Sequence, residues 1–180
     1  EAWRNNARAT EGLVRVAKEN GVANFVLIST DKAVNPSSVM GRTKLAAEQA
    51  VRNAGYTAVR FGNVLGSSGS VVPKWERQIA NGGPVTITDR RMTRYFMTVQ
   101  EAVGLVLVAS TMEGGHIYTL DMGKPVSLVS LAEEMIRQAG WRPYKDIAIE
   151  FTGIRPGEKL AEELGLEKAK PTSHAKIYMS

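Results

Sequence analysis

Four consecutive apolar residues, Phe25-Val26-Leu27-Ile28, run straight into four polar ones, Ser29-Thr30-Asp31-Lys32. An unalternated apolar run of that length reads as a strand buried on both faces, the kind found inside a parallel sheet. The segment before it, Trp3 to Glu19, repeats Ala7, Leu13, Val14 and Ala17 near the helical period and stops at Asn20-Gly21. After it, Asn35-Pro36 predicts an N-cap and first-turn proline opening a helix through Asn53. The alternation continues: strand at Tyr56 to Phe61, Gly/Ser loop from Gly62 to Ser70, helix from Val72 to Ala80 ended by Asn81-Gly82-Gly83. Val85 to Thr88, Ile117 to Leu120 and Ile147 to Phe151 read as further strands, Val99 to Met112 and Leu128 to Ala139 as further helices. Helices alternating with apolar strands predict an α/β architecture around a parallel sheet. Ligands then bind beyond the carboxyl ends of the strands, which directs attention to Ser29–Lys32 and to Gly62–Ser70.

Composition removes several classes. With 180 residues, 43% hydrophobic and 23% charged, the chain is long enough for a real core and is not disordered. It has no Cys, hence no disulfide, thiolate metal site or cysteine nucleophile. Its two histidines, His116 and His174, lack metal-ligand companions, so no metal is expected. The net charge of +5 comes from scattered basic residues with only 7% aromatics, which argues against nucleic acid and leaves room for an anionic ligand. The longest apolar run, Ala102 to Ala109, is too short to span a bilayer and reads as a buried helix. Neither a G-x-S-x-G elbow nor a G-x-x-x-x-G-K-[ST] loop occurs. The first residue is Glu1, which suggests a piece of something longer.

At the first strand end, Asp31 can give or take a proton and Lys32 can act as a base. Met40 and Lys44 follow four residues apart, on one face of the next helix. The stretches Thr30-Asp31-Lys32-Ala33-Val34-Asn35-Pro36 and Val39-Met40-Gly41 with Lys44 resemble the active-site segment of nucleotide-sugar 4,6-dehydratases, extended short-chain dehydrogenase/reductases of capsule and glycan biosynthesis. The resemblance continues through Arg60-Phe61-Gly62-Asn63-Val64-Leu65-Gly66-Ser67, Ser70-Val71-Val72-Pro73, Met92-Thr93-Arg94-Tyr95-Phe96 and Arg155-Pro156-Gly157-Glu158-Lys159. Five motifs in register are specific where one would not be. Met40 stands where the superfamily usually has Tyr; its thioether cannot relay a proton, and methionine there resembles the larger, membrane-associated UDP-N-acetylglucosamine 4,6-dehydratases.

The resemblance implies a Rossmann-like parallel sheet lacking its N-terminal strands, with a smaller C-terminal α/β substrate-binding region. The expected boundaries are 1–70 for the catalytic half, 71–165 mainly for substrate binding with some strands returning to the main sheet, and 166–180 for a tail. It implies that NAD takes hydride from the sugar C4, that Lys32 removes the C5 proton and that Asp31 protonates the departing C6 hydroxyl. Hydride then returns to C6. Asp31, through Thr30 or water, is the candidate for deprotonating the C4 hydroxyl. Lys44, Phe61 and Gly62 are implied at the cofactor, and Asn63, Arg94, Arg155 and Glu158 at the substrate, the arginines on a diphosphate and Glu158 on ribose hydroxyls.

Gly62, Gly66 and Gly69, with Asp89 beyond, imitate a dinucleotide fingerprint, but the spacing is not G-x-G-x-x-G. The resemblance implies that the glycine-rich loop lies upstream of Glu1 and that the NAD site is incomplete. The implied partner is a UDP-sugar, UDP-N-acetylglucosamine first. No nucleic acid and no membrane segment are expected in this chain, although the full-length protein is expected in the cytoplasm or at the cytoplasmic face of the inner membrane, as a homo-oligomer. A nucleotide-sugar 4-epimerase and a non-catalytic nucleotide-sugar-binding fragment are the alternatives.

Overall fold

The structure, a computed structural model, describes residues 1–67 and 69–180. In chain order a short π-helix (Trp3–Arg8) leads into α1 (Ala9–Glu19), β1 (Val26–Ile28), a 3-10 turn (Asp31–Ala33), α2 (Val39–Asn53) and β2 (Thr57–Arg60). Then come β3 (Asn63–Val64), α3 (Val71–Ala80), β4 (Val85–Ile87), β5 (Thr93–Arg94), β6 (Phe96–Met97) and α4 (Val99–Ser110). The remainder is β7 (Ile117–Leu120), β8 (Val126–Ser127), α5 (Leu128–Gln138), β9 (Ile149–Phe151), a 3-10 turn (Leu166–Lys168), β10 (Lys170–Pro171) and β11 (Ile177–Met179).

The chain forms two compact units, both discontinuous in sequence. The first comprises Glu1–Gly62, Gln100–Met122 and Glu163–Ser180; the second, Asn63–Val99 and Gly123–Glu162. The first unit holds a five-stranded sheet in the order β1-β2-β7-β11-β10. Its first three strands are parallel, with Leu27 opposite Ala58 and Val59 opposite Tyr118, while β11 and β10 run antiparallel. Val14 and Ala17 of α1, Val51 of α2, Ala58 of β2 and Ile117 of β7 form its core with Tyr56. The second unit is organised around α3 and α5, whose Trp75, Ile79, Ala132 and Ile136 bury against Val85, Ile87, Ile147 and Ile149 of the β4–β9 region.

Several expectations change. β1 is an edge strand among the described residues, so Ile28 is 45% exposed rather than buried on both faces. The helix expected to open at Asn35-Pro36 opens instead at Val39, capped by Ser38, whose hydroxyl accepts the Gly41 N–H. Asn35 takes a left-handed turn (φ 43°) and donates its side-chain amide to Glu163. α4, expected to be buried, exposes Val99, Val103 and Leu107 along one side. The stretch expected as a polar tail supplies β10 and β11, because Ile177, fully buried, pairs opposite Leu120 of β7. The loop expected at 62–70 starts with β3, paired to β6; Ser68 of that loop lies outside the described residues.

Candidate functional site

The first strand ends of the sheet carry their hydrogen-bond ladder past β1 and β2: Ser29 N–H donates to the Val59 carbonyl (2.8 Å) and Asp31 N–H to the Phe61 carbonyl (3.0 Å). The chain then tightens into the 3-10 turn, capped by Thr30, whose hydroxyl oxygen accepts the Lys32 N–H. This turn folds three predicted residues onto one oxygen. Asp31 Oδ1 accepts from Lys32 Nζ at 2.9 Å and from Thr30 Oγ1 at 3.0 Å. The Asp31 side chain is fully buried, Lys32 is 27% exposed, and Asp31 Oδ2 is buried with no hydrogen-bond partner among the described residues. An orphaned buried oxygen costs roughly 1–3 kcal/mol, which is the kind of strain functional sites hold.

α2 approaches this turn through Gly41, where a Cβ would meet the Lys32 carbonyl oxygen at 2.2 Å. Only a residue without a side chain allows that approach. Met40, beside it, is 39% exposed. Lys44, one turn on, donates to the Ile28 carbonyl at the end of β1 (3.1 Å). The first turn of α2 is pinned from the other side by Asn6 in the π-helix, which donates to Thr43 Oγ1, while that hydroxyl donates to the Met40 carbonyl. Phe61 and Gly62 follow directly on β2, and the Gly62 N–H points at the Met122 sulfur (2.8 Å). Thr30, Asp31, Lys32, Met40, Lys44, Phe61 and Gly62 thus all belong to the first unit, at the carboxyl ends of β1 and β2 and on the first two turns of α2.

The other predicted residues lie in the second unit. Asn63 sits in β3 with its N–H on the Tyr95 carbonyl (3.0 Å). Glu158 accepts from Thr88 Oγ1 at 3.4 Å and from the Arg155 N–H at 3.3 Å, leaving the Arg155 side chain exposed. Arg94 differs from the expectation of a diphosphate-facing guanidinium. It is 7% exposed, its Nη1 donates to the Thr93 (2.7 Å) and Leu160 (3.1 Å) carbonyls and its Nη2 to the Lys159 carbonyl (3.0 Å), 3.7 Å from Glu158. Arg94 therefore holds the segment that carries Glu158, and Arg155 is the arginine in the open. An open pocket beside them is lined by Thr88, Asp89, Arg90, Arg91, Phe151 and Gly153, with the Arg90 guanidinium over the Phe151 ring. In it, hydrogen bonds from the Arg91 guanidinium and backbone hold the Asp89 carboxyl down at about 2. Asn6, Thr88 and the internal role of Arg94 escape sequence reasoning, since each depends on a partner distant in the chain, and the Val39-Met40-Gly41 motif does not reveal how closely Gly41 approaches Lys32.

Residues 1–180, the whole chain, match the polysaccharide biosynthesis protein family. The chain belongs to that family. Among its relatives, CapD, a capsular polysaccharide biosynthesis protein of Staphylococcus aureus, is 55% identical over 91% of this chain and 28% of its own length. A UDP-N-acetylglucosamine 4,6-dehydratase (inverting) of Campylobacter jejuni is 35% identical over 90% of this chain and 49% of its own. A UDP-glucose 4-epimerase of Rickettsia canadensis is 36% identical over 91% and 50%. The chain thus spans about half, or less, of the length of these relatives. Among solved structures, Pen from Bacillus thuringiensis superposes with a TM-score of 0.87 at 34% identity, over 97% of this chain and 58% of that one. DesIV, a dTDP-glucose 4,6-dehydratase of Streptomyces venezuelae crystallised with NAD and TYD, superposes at 0.80 with 19% identity over 90% and 57%, which establishes the shared Rossmann-like fold. Among the described residues, no helix is long and apolar enough to cross a membrane.

Proposed function

We propose that this family member carries the reaction residues of an NAD-dependent 4,6-dehydratase acting on a UDP-sugar, UDP-N-acetylglucosamine first. The observation that carries the reading is the Asp31–Lys32 contact. Passing one proton across its 2.9 Å turns an ammonium–carboxylate pair into an amine beside a carboxylic acid, with no change in total charge. Dehydration asks for that pair: a base for the C5 proton, acidified once C4 is a ketone, and an acid for the C6 hydroxyl that leaves as water. In this reading Lys32 takes the C5 proton, Asp31 protonates the leaving hydroxyl, and Thr30 holds the Asp31 carboxyl in place. Met40, unable to relay a proton, fills the surface beside the turn.

Lys44 at the β1 carbonyl edge and the Phe61-Gly62 turn off β2 fit one end of NAD, and the orphaned Asp31 Oδ2 fits a site that expects a ligand. When bound, NAD supplies the hydride store for the sugar C4 and C6. In the second unit, Asn63, the exposed Arg155 side chain and Glu158 bind the nucleotide part of the substrate, with Arg94 supporting Glu158. The cofactor's glycine-rich loop belongs to sequence outside these 180 residues, so turnover is a property of the full-length polypeptide.

A 4-epimerase is the second reading, favoured by the epimerase among the relatives. Simple 4-epimerisation needs neither a C5 base nor a C6 acid. The test is incubation of the full-length polypeptide with UDP-N-acetylglucosamine in deuterated water. Dehydration yields a 4-keto-6-deoxy product with deuterium at C5, and Lys32→Met abolishes C5 exchange. A C4 epimer with no C5 deuterium, or undiminished exchange in Lys32→Met, sinks the assignment.

A further inference from the structure

Glu48 lies on α2 one turn beyond Lys44, with its side chain fully buried, and the proposed reaction makes no use of it. Its two carboxylate oxygens gather donors from two different strand ends. Oε1 accepts from Ser29 Oγ at the end of β1 and from Arg60 Nε (2.8 Å) at the end of β2, and Oε2 accepts from Arg60 Nη2. Ser29 stands two residues before Asp31, and Arg60 stands between Val59 and Phe61, the two residues whose carbonyls receive the Ser29 and Asp31 amides. One buried carboxylate thus joins the helix that carries Met40 and Lys44 to both strand segments that carry the reaction and cofactor residues.

Stability alone is a poor reason for such a group. Desolvating a carboxylate and a guanidinium is costly, and apolar replacement of a buried ion pair is often neutral or stabilising. What an apolar pair cannot supply is direction: three donors on one carboxylate fix α2 relative to the two strand ends they come from. We propose that Glu48, with Ser29 and Arg60, is a positioning residue that holds the Thr30–Lys32 turn in register with Phe61-Gly62 and with Lys44. Displacement of reacting groups by about 1 Å can cost on the order of 100-fold in rate. The proposal rests on the dehydratase reading for its effect on turnover but not for its effect on the turn itself.

The test compares the full-length polypeptide with Glu48→Leu/Arg60→Met, in which both charges are removed together. Two readouts are taken: amide hydrogen exchange at Ser29 and Asp31, and kcat and KM for the UDP-sugar. Expected are an unfolding midpoint close to the parent's, at least about tenfold faster exchange at Asp31 with Val59 and Tyr118 unchanged, and kcat lower by about 100-fold with KM little changed. Unchanged Asp31 exchange together with unchanged kcat overturns the proposal and leaves the ion pair a purely structural one. If the parent turns over no UDP-sugar, the dehydratase reading fails, and the exchange readout alone decides for or against the clamp. If the double variant does not fold, Ser29→Ala, which deletes one donor and leaves the Glu48–Arg60 pair, decides by the same two readouts.

Discussion

A methyl group at position 41 would sit 2.2 Å from the carbonyl oxygen of Lys32, a backbone atom that cannot rotate away. Gly41→Ala must therefore move α2 or the Asp31–Ala33 turn. The expected result is a loss of about 1–3 kcal/mol in urea unfolding, typical of overpacking, with Met40 and Lys44 displaced from the turn. A stability equal to the parent's would show that the two segments separate freely. Asp89 gives a pH prediction at the same scale. Its carboxyl is lowered from 3.8 to about 2 by hydrogen bonds from Arg91, so the contact is at full strength above about 4 and is lost as pH falls towards 2. A carboxyl-carbon NMR titration should find Asp89 still ionised at pH 3; a midpoint near 4 would mean that the pair does not form in solution. At this scale the Thr30-Asp31-Lys32 cluster was legible because its three members are adjacent, so one tight turn suffices to unite them. Arg94 was not, because the Lys159 and Leu160 carbonyls that enclose it lie more than sixty residues away and leave no local pattern.

Elements were readable where periodicity had one interpretation. The helix of Val71–Ala80 appears within a residue of the expected start, and it carries the heaviest buried anchor of its unit: Trp75 is fully buried and its indole N–H donates to the Thr86 carbonyl at 3.0 Å. Trp75→Ala removes both the ring and that bond, with an expected cost of about 3–5 kcal/mol read by circular dichroism in urea; a cost under 1 kcal/mol would mean the core recloses. A boundary moved where the chain turns before the helix begins: the 3-10 turn and the left-handed Asn35 carry the chain around, and α2 starts only after Ser38. β11 was invisible for a different reason. Its short Ile177-Tyr178-Met179 run borrows its strand character from the pairing with β7 rather than from its own sequence.

The sheet order β1-β2-β7-β11-β10 and the division into two units depend on long-range pairing, which no local window contains. The α/β class was nonetheless readable, since alternation of helix and apolar strand admits few other layer arrangements. Among the described residues, no strand leads through a G-x-G-x-x-G loop into a helix; Gly66 and Gly69, between β3 and α3, take positive φ with nothing near their missing Cβ positions. On the proposal that the glycine-rich loop lies in sequence outside these 180 residues, the purified chain is expected to carry little NAD absorbance, and tightly held stoichiometric cofactor would refute it.

The return of β11 to β7 also sets a timetable. β1, β2 and β7 are all made by residue 120, yet the antiparallel partner of β7 ends at residue 179, with the Gly123–Glu162 part of the second unit synthesised in between. At roughly 5–20 residues per second on the ribosome, the far side of β7 waits several seconds for its neighbour. During that interval the nascent sheet leaves the Ile117 carbonyl and the Asp121 amide, which later pair with Ser180 and Lys176, on an open border, and a chaperone that guards strand borders would find its work there.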